Sequence, residues 1–334
     1  MTTFNEQLYE DAVVSLLQNA GWTHTPGDTL HRSAREVLLE DDLKAFFAQR
    51  YKEENLTENE IEKNIIQIKH LSNTSLFSAN REAFRLVSEE FYLRRDDATQ
   101  PNLLLSYIDF EIPENNIFRC VTQFTVKQHA ERRPDILLFV NGIPLTIIEL
   151  KNPANEETTI EDAWNQIHHR YKRDIPVLMR YCCLSIIADG ANARLGTIFT
   201  PYEHYYAWKK VENEEQTAVG FHEIETLVSG ALAPARFLEI LRDFVYYPDP
   251  SLAKELQVVC RYPQFFATRK LYNNIRRHLK SVGGDEKGGT YFGATGCGKT
   301  FTMLFYQNGY PPEWDNEVFT QVLEQAENFK RYSE

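Results

Sequence analysis

Cysteine is scarce in this 334-residue chain: the five present are odd in number and form no C-x-x-C pair. That scarcity speaks for reduced thiols against a disulfide framework or a zinc site. Cys182 and Cys183 are neighbours in a β-prone run, so their side chains point to opposite faces and make poor co-ligands. Long hydrophobic runs are also missing. Nothing approaches the roughly 18 apolar residues of a transmembrane helix, and the N-terminus, MTTFNEQLYEDAVV, carries acids where a signal segment would be basic. A cytoplasmic chain without membrane association is expected. Positive charge is in deficit: a net charge of -12 argues against a generic electrostatic DNA wrapper, although a local basic track can sit inside an acidic whole. No internal repeat or low-complexity segment stands out. What remains, 43% hydrophobic and 25% charged residues, is the balance of a folded globular protein with one large or two ordinary domains.

Leu8, Ala12, Val13, Leu16, Leu17 and Ala20 recur at helical spacing and stop at Gly21, which predicts an amphipathic first helix. Residues 32 to 96 read as mostly helical. From about 103 the texture turns to β: LLLSYIDF, IFRCVTQFTV, DILLFV, LTIIELK, CCLSIIAD and ARLGTIFT, with a helix near 158 to 172. Helices followed by a sheet that a helix interrupts predict an α/β or α+β domain with a mixed central sheet. A second helical stretch, 221 to 246, leads through Pro248 and Pro250 to a boundary near residue 250.

The informative core is RRPDILLFVNGIPLTIIELKNP, residues 132 to 153. Glu149 and Lys151 share one face of a strand, and Asp135 opens the partner strand. A strict two-residue Asn141-Gly142 loop would set Asp135 across from Ile148 and away from Glu149. A three-residue loop or a single bulge shifts the register by one and sets Asp135 across from Glu149, so an odd-count turn is expected. Two converging carboxylates make a hard oxygen site suited to Mg²⁺, and a lysine beside them can orient or help deprotonate an attacking water. An exposed Glu-x-Lys on an edge strand is the bland alternative. The apolar flanks of TIIEL disfavour it, because a buried charge needs a partner or a metal.

Downstream, Trp164, Gln166 and Ile167 fall on the 158 to 172 helix, which can lay Gln166 beside the site and then present His168, His169, Arg170, Lys172 and Arg173. A basic helix end beside a carboxylate site suits a DNA backbone. A second basic track, 261 to 280, carries Arg261, Arg269, Lys270, Arg276, Arg277 and Lys280. Further on, GATGCGKT at 293 to 300 matches G-x-x-x-x-G-K-[ST] between a β-prone run and an apolar helical run. Gly293, Gly296, Gly298, Lys299 and Thr300 are its candidate nucleotide-binding residues: backbone N–H groups wrap phosphates, the lysine reaches the terminal phosphates and the threonine hydroxyl holds Mg²⁺. ATP binding is expected, and hydrolysis is not. The one later aspartate, Asp315, follows Tyr-Pro-Pro-Glu-Trp and not the apolar strand that a second Mg²⁺-orienting acid requires.

PDILLFVNGIPLTIIELKNP, QIHHRYKRDIP and IIADGANARLGTIFT resemble the R subunit of type I restriction enzymes, whose N-terminal domain is a nuclease of the PD-(D/E)xK superfamily. RYPQFFATRK and GATGCGKTFTMLF are similar to the entry to that family's first helicase lobe. The resemblance implies a restriction-endonuclease-like mixed sheet flanked by helices over 1–250, then an incomplete RecA-like P-loop segment over 251–334. It also implies metal ligation by Asp135 and Glu149, with Lys151 catalytic and Gln166 assisting. Glu10 is similar to the first-helix acid of this nuclease group and is a third candidate metal-site residue, and Gln264 is similar to the glutamine that reads adenine in such helicases. The family's tyrosine follows its glutamine after three residues. Here Tyr171 stands one residue further on, and on an α-helix it shares the face of Gln166 only if the helix ends first. The implied cofactors are Mg²⁺ and ATP, and the implied partners are DNA with the methyltransferase (M) and specificity (S) subunits. The missing helicase boxes suggest an internally deleted or truncated R subunit. Two alternatives stay open: a non-catalytic assembly module that binds DNA or ATP, and a stand-alone nuclease of the same superfamily.

Overall fold

The computed structural model describes residues 6–71, 74–151, 158–212, 222–248, 255–278 and 283–284. Gly293, Gly296, Gly298, Lys299 and Thr300 of the phosphate loop, with Lys280 and Asp315, lie outside the described residues. Two compact units make up the chain: Met1–Arg242 with Tyr247–Val258, and Asp243–Tyr246 with Val259–Glu334.

In the first unit, α1 (Glu6–Ala20) buries Tyr9, Val13, Val14 and Leu17, a stripe spaced three and four residues apart. It stops where expected. Gly21 takes φ 112°, and the N–H groups of Gly21 and Trp22 donate to the carbonyls of Gln18 and Leu17, each at 3.0 Å. This is a Schellman closure. The Trp22 indole then donates to Leu232 O at 2.7 Å, which anchors the helix exit. A short strand β1 (Thr23–Pro26) leads into α2 (Glu40–Arg50), α3 (Glu58–Lys69) and α4 (Leu76–Ser88). A Thr57/Glu60 capping box opens α3, and Ser75 caps α4. Strands β2 (Phe91–Leu93) and β3 (Leu103–Leu105) pair with each other alone, so only the first residues of LLLSYIDF form strand.

The central sheet begins with β4 (Phe118–Thr122). A separate small hairpin, β5 (Val126–Lys127) with β6 (Glu131–Arg132), precedes β7 (Ile136–Val140) and β8 (Ile143–Leu150). After α5 (Ile160–Asn165) and a π-helical turn (Gln166–Tyr171) come α6 (Lys172–Asp174), α7 (Pro176–Met179), β9 (Leu184–Ala188) and β10 (Ala193–Gly196). The order is β1-β4-β7-β8-β9-β10, with β1/β4 and β8/β9 parallel and the other pairs antiparallel. A mixed sheet in an α/β domain was expected and is present. Every residue of β7, β8 and β9 is buried, which is why these strands read as continuous apolar runs without alternation. Truncating Ile147 at this centre to alanine would cost about 2–5 kcal/mol. Two further helices, α8 (His222–Leu227) and α9 (Pro234–Asp243), complete the series, α8 packing on α1 and β10. Among the described residues no helix is long and apolar enough to cross a membrane.

In the second unit α10 (Tyr262–His278) buries Phe265, whose ring lies 4.9 Å from that of Phe244. Gln264 is buried, and its side-chain oxygen accepts from Arg261 N at 2.7 Å, closing the helix start. Lys270, Arg276 and Arg277 of the second basic track are exposed.

Candidate active site

Asn141 and Gly142, at φ 49° and 81°, form a two-residue loop with both residues left-handed, the turn that Asn-Gly favours. No side chain would be tolerated at Gly142, because a Cβ there would lie 2.1 Å from Leu39 O. From the loop the ladder runs Val140 to Ile143 and Phe139 to Pro144, then skips Leu145 and resumes with Leu138 to Thr146, Leu137 to Ile147 and Ile136 to Ile148. That skip is a single bulge. Continued by one residue, the register sets Asp135 across from Glu149, as the odd-count expectation required. Asp135 Oδ2 accepts from Leu150 N at 2.8 Å, so its side chain extends the ladder to the end of β8.

Glu149 lies on a strand with neighbours on both sides and is 1% exposed, and Asp135 is 8% exposed. Lys151 Nζ donates to Glu149 Oε1 at 3.1 Å and to Gln166 Oε1 at 3.0 Å. Gln166 Nε2 donates to the same Glu149 oxygen, and Tyr171 OH donates to Glu149 Oε2 at 3.0 Å. Burial first, and the charge of Asp135 second, push the Glu149 carboxyl up to about 8, while Lys151 and Tyr171 oppose the rise. Burial also holds the Tyr171 phenol far above its ordinary range, so it stays a neutral donor. The structure thus gathers Asp135, Glu149, Lys151 and Gln166, and it adds Tyr171.

Tyr171 arrives by a route the sequence reading did not include. The helix does not end before it. Residues Gln166–Tyr171 widen into a π-helix, whose i→i+5 ladder returns Tyr171 to the face of Gln166; Gln166 Nε2 lies 2.7 Å from Tyr171 OH. The same widening corrects the expected basic helix end. His168 turns inward, stacks on Trp164 with centroids 4.3 Å apart and donates to Trp164 O through Nδ1; burial holds its imidazole down near 3. Lys172 is also drawn in, its Nζ 4.3 Å from the Phe199 ring, and burial lowers its ammonium to about 8. His169, Arg170 and Arg173 remain exposed, with Arg173 paired to Asp174 at 2.7 Å.

Glu10, on α1, is 5% exposed and accepts a hydrogen bond from Gln123 Nε2 at 2.5 Å. Gln123 N in turn donates to Asp135 O at 2.8 Å. Sequence reasoning passed over Gln123, whose one outward signal is a polar residue inside the IFRCVTQFTV run. Among the described residues no group of three or more His, Cys, Asp or Glu side chains is gathered closely enough to hold a metal ion. A cation here would draw on Asp135 and Glu149. Their donor set fits Mg²⁺: two oxygen ligands are pressed together by the register, one of them hard to ionise without a cation, and Mg²⁺ ordinarily keeps several waters.

The family model described as Type I restriction enzyme R protein N terminus matches residues 3–204. The type I restriction enzyme HindI endonuclease subunit of Haemophilus influenzae is 27% identical over an alignment 333 residues long that covers 96% of this chain and 31% of that protein. A Methanocaldococcus jannaschii protein provisionally named the type I restriction enzyme MjaIXP endonuclease subunit is 26% identical over an alignment 331 residues long that covers 90% of this chain and 31% of that protein. The type I restriction enzyme SauCOLORF180P endonuclease subunit of Staphylococcus aureus is 25% identical over 229 residues, 67% of this chain and 22% of that protein. This chain therefore spans under a third of the length of these relatives. With well over half of its residues matched by the family model, it belongs to the family of type I restriction enzyme R proteins, in their N-terminal region.

Proposed function

We propose that the first unit is a Mg²⁺-dependent DNA endonuclease domain that cleaves for a type I restriction system, working with methyltransferase and specificity subunits. The observation that carries this reading is the buried Glu149 carboxylate at the sheet centre, with Asp135 across the ladder and Lys151, Gln166 and Tyr171 donating to it. Asp135 and Glu149 would hold Mg²⁺, which when bound polarises the scissile phosphate and offsets the charge that develops on it. Lys151 is positioned by Gln166 to orient a water for attack on phosphorus and to accept or relay its proton as the P–O bond to the leaving oxygen breaks. Tyr171 and Gln166 fix the Glu149 rotamer, so the carboxylate is pre-set and not recruited. Exposed Arg133 and Arg170 supply cations to phosphates flanking the cut. The GATGCGKT loop would bind ATP, and in a full-length chain that binding would be tied to DNA translocation.

Purified protein, incubated with supercoiled and linear DNA and Mg²⁺, with and without ATP and partner subunits, tests this beside Glu149→Ala and Lys151→Ala. Mg²⁺-dependent nicking that both substitutions abolish is expected. A wild type that never cuts, even in the full mixture, contradicts the reading.

A further inference from the structure

Three non-glycine residues among those described adopt positive φ: Asn55 at 52°, Gln123 at 52° and Asn141 at 49°. Asparagine tolerates this region because its short amide bonds locally; glutamine has no such advantage. A strained non-glycine residue persists where its surroundings over-determine it, and such residues cluster at functional sites. At Gln123 three interactions do so. Its N–H donates to Asp135 O at 2.8 Å, and its side-chain amide donates to Glu10 Oε2 at 2.5 Å. On its other side Gly27 comes so close that a Cβ there would lie 2.8 Å from Gln123 O. Gln123 therefore joins a carboxylate from the first helix to the main chain of Asp135, the residue just before β7.

We infer that Gln123 is a positioning residue of this site, fixing Glu10 and Asp135 as one unit on which the site's affinity for a divalent cation depends. The inference rests on the nuclease-site reading above. Partners one step removed from a metal-binding group orient it, and losing one commonly weakens metal affinity by about 10- to 100-fold.

Gln123→Gly separates positioning from folding, because glycine takes φ 52° without strain and keeps the N–H to Asp135 while losing the reach to Glu10. Gln123→Asn is the second variant: it tolerates the same φ and is one methylene too short. Mn²⁺ binding to the full chain without DNA, followed by loss of the free-ion electron paramagnetic resonance signal, is read beside the urea midpoint. Both variants should keep the wild-type midpoint or exceed it, yet bind Mn²⁺ on the order of tenfold more weakly. Glu10→Gln should weaken binding similarly, and the double variant Glu10→Gln/Gln123→Gly should be no weaker than the weaker single, because both remove one linkage. Wild-type Mn²⁺ affinity in both Gln123 variants overturns the inference and leaves the nuclease reading standing. Wild-type binding that Glu149→Gln does not alter overturns the site reading and the inference together.

Discussion

Glu149 sets the energetic terms at the scale of single residues. Its carboxyl is held up to about 8 by burial and by Asp135, so the folded protein keeps a proton that the unfolded chain releases near 4.5. A raised carboxylate makes stability fall as pH rises, here through the window from about 4.5 to about 8, with a slope approaching about 1.4 kcal/mol per pH unit. Glu149→Gln removes that slope while preserving shape. In EDTA its melting temperature should match the wild type near pH 5 and exceed it increasingly towards pH 8; millimolar Mg²⁺ should narrow the gap. Equal melting curves at pH 8 in EDTA would contradict the burial account. Lys151→Ala should leave folding intact while cutting falls below detection, a loss of at least about 10²-fold. Asp135, Glu149, Lys151 and Gln166 were all legible in the sequence, since a charge inside the apolar TIIEL run must be paired or bind a cation. Gln123 was not legible, because its backbone conformation and both partners come from segments distant in the chain.

Among the elements, two one-residue irregularities build the site. The Leu145 bulge moves β8 by one position against β7, and the π-turn at 166–171 absorbs an extra residue before Tyr171. Alternation and loop count made the bulge foreseeable, because only an odd register brings the carboxylates together. The π-turn was not foreseeable: α-helical geometry puts five-residue neighbours on different faces, and what selects the wider turn is Glu149, a tertiary partner for Tyr171. For the same reason the inward turn of His168 and Lys172 went unread. Deleting exposed Arg170 should convert the π-turn into ordinary α-helix, restore a four-residue spacing and retain the melting temperature. Deleting Ala163, in the α-helical part, should rotate Gln166 off the site and abolish nicking. Loss of folding in the Arg170 deletion alone would show that the π-turn is not an accommodated insertion.

For the whole molecule, the proposed DNA cleavage by a chain with net charge -12 would need a confined surface for the DNA. On that proposal Arg133 and Arg170, exposed and close in sequence to the site residues Asp135 and Tyr171, would contribute to it. Replacing both by alanine should weaken DNA binding at low salt and reduce the slope of log affinity against log salt by about 0.9 for each phosphate no longer neutralised. An unchanged slope would place the DNA elsewhere. The helical first half and the mixed sheet were readable from periodicity, whereas the P-loop residues 293–300 lie outside the described residues and their nucleotide binding remains a proposal. The central claim is that Asp135, Glu149 and Lys151 form a cation-dependent phosphodiesterase centre. Nicking of supercoiled DNA, with partner subunits and ATP supplied, tests it most directly: the account predicts Mg²⁺-dependent cutting by the wild type and none by Glu149→Ala or Lys151→Ala. Cutting that survives either substitution would contradict it.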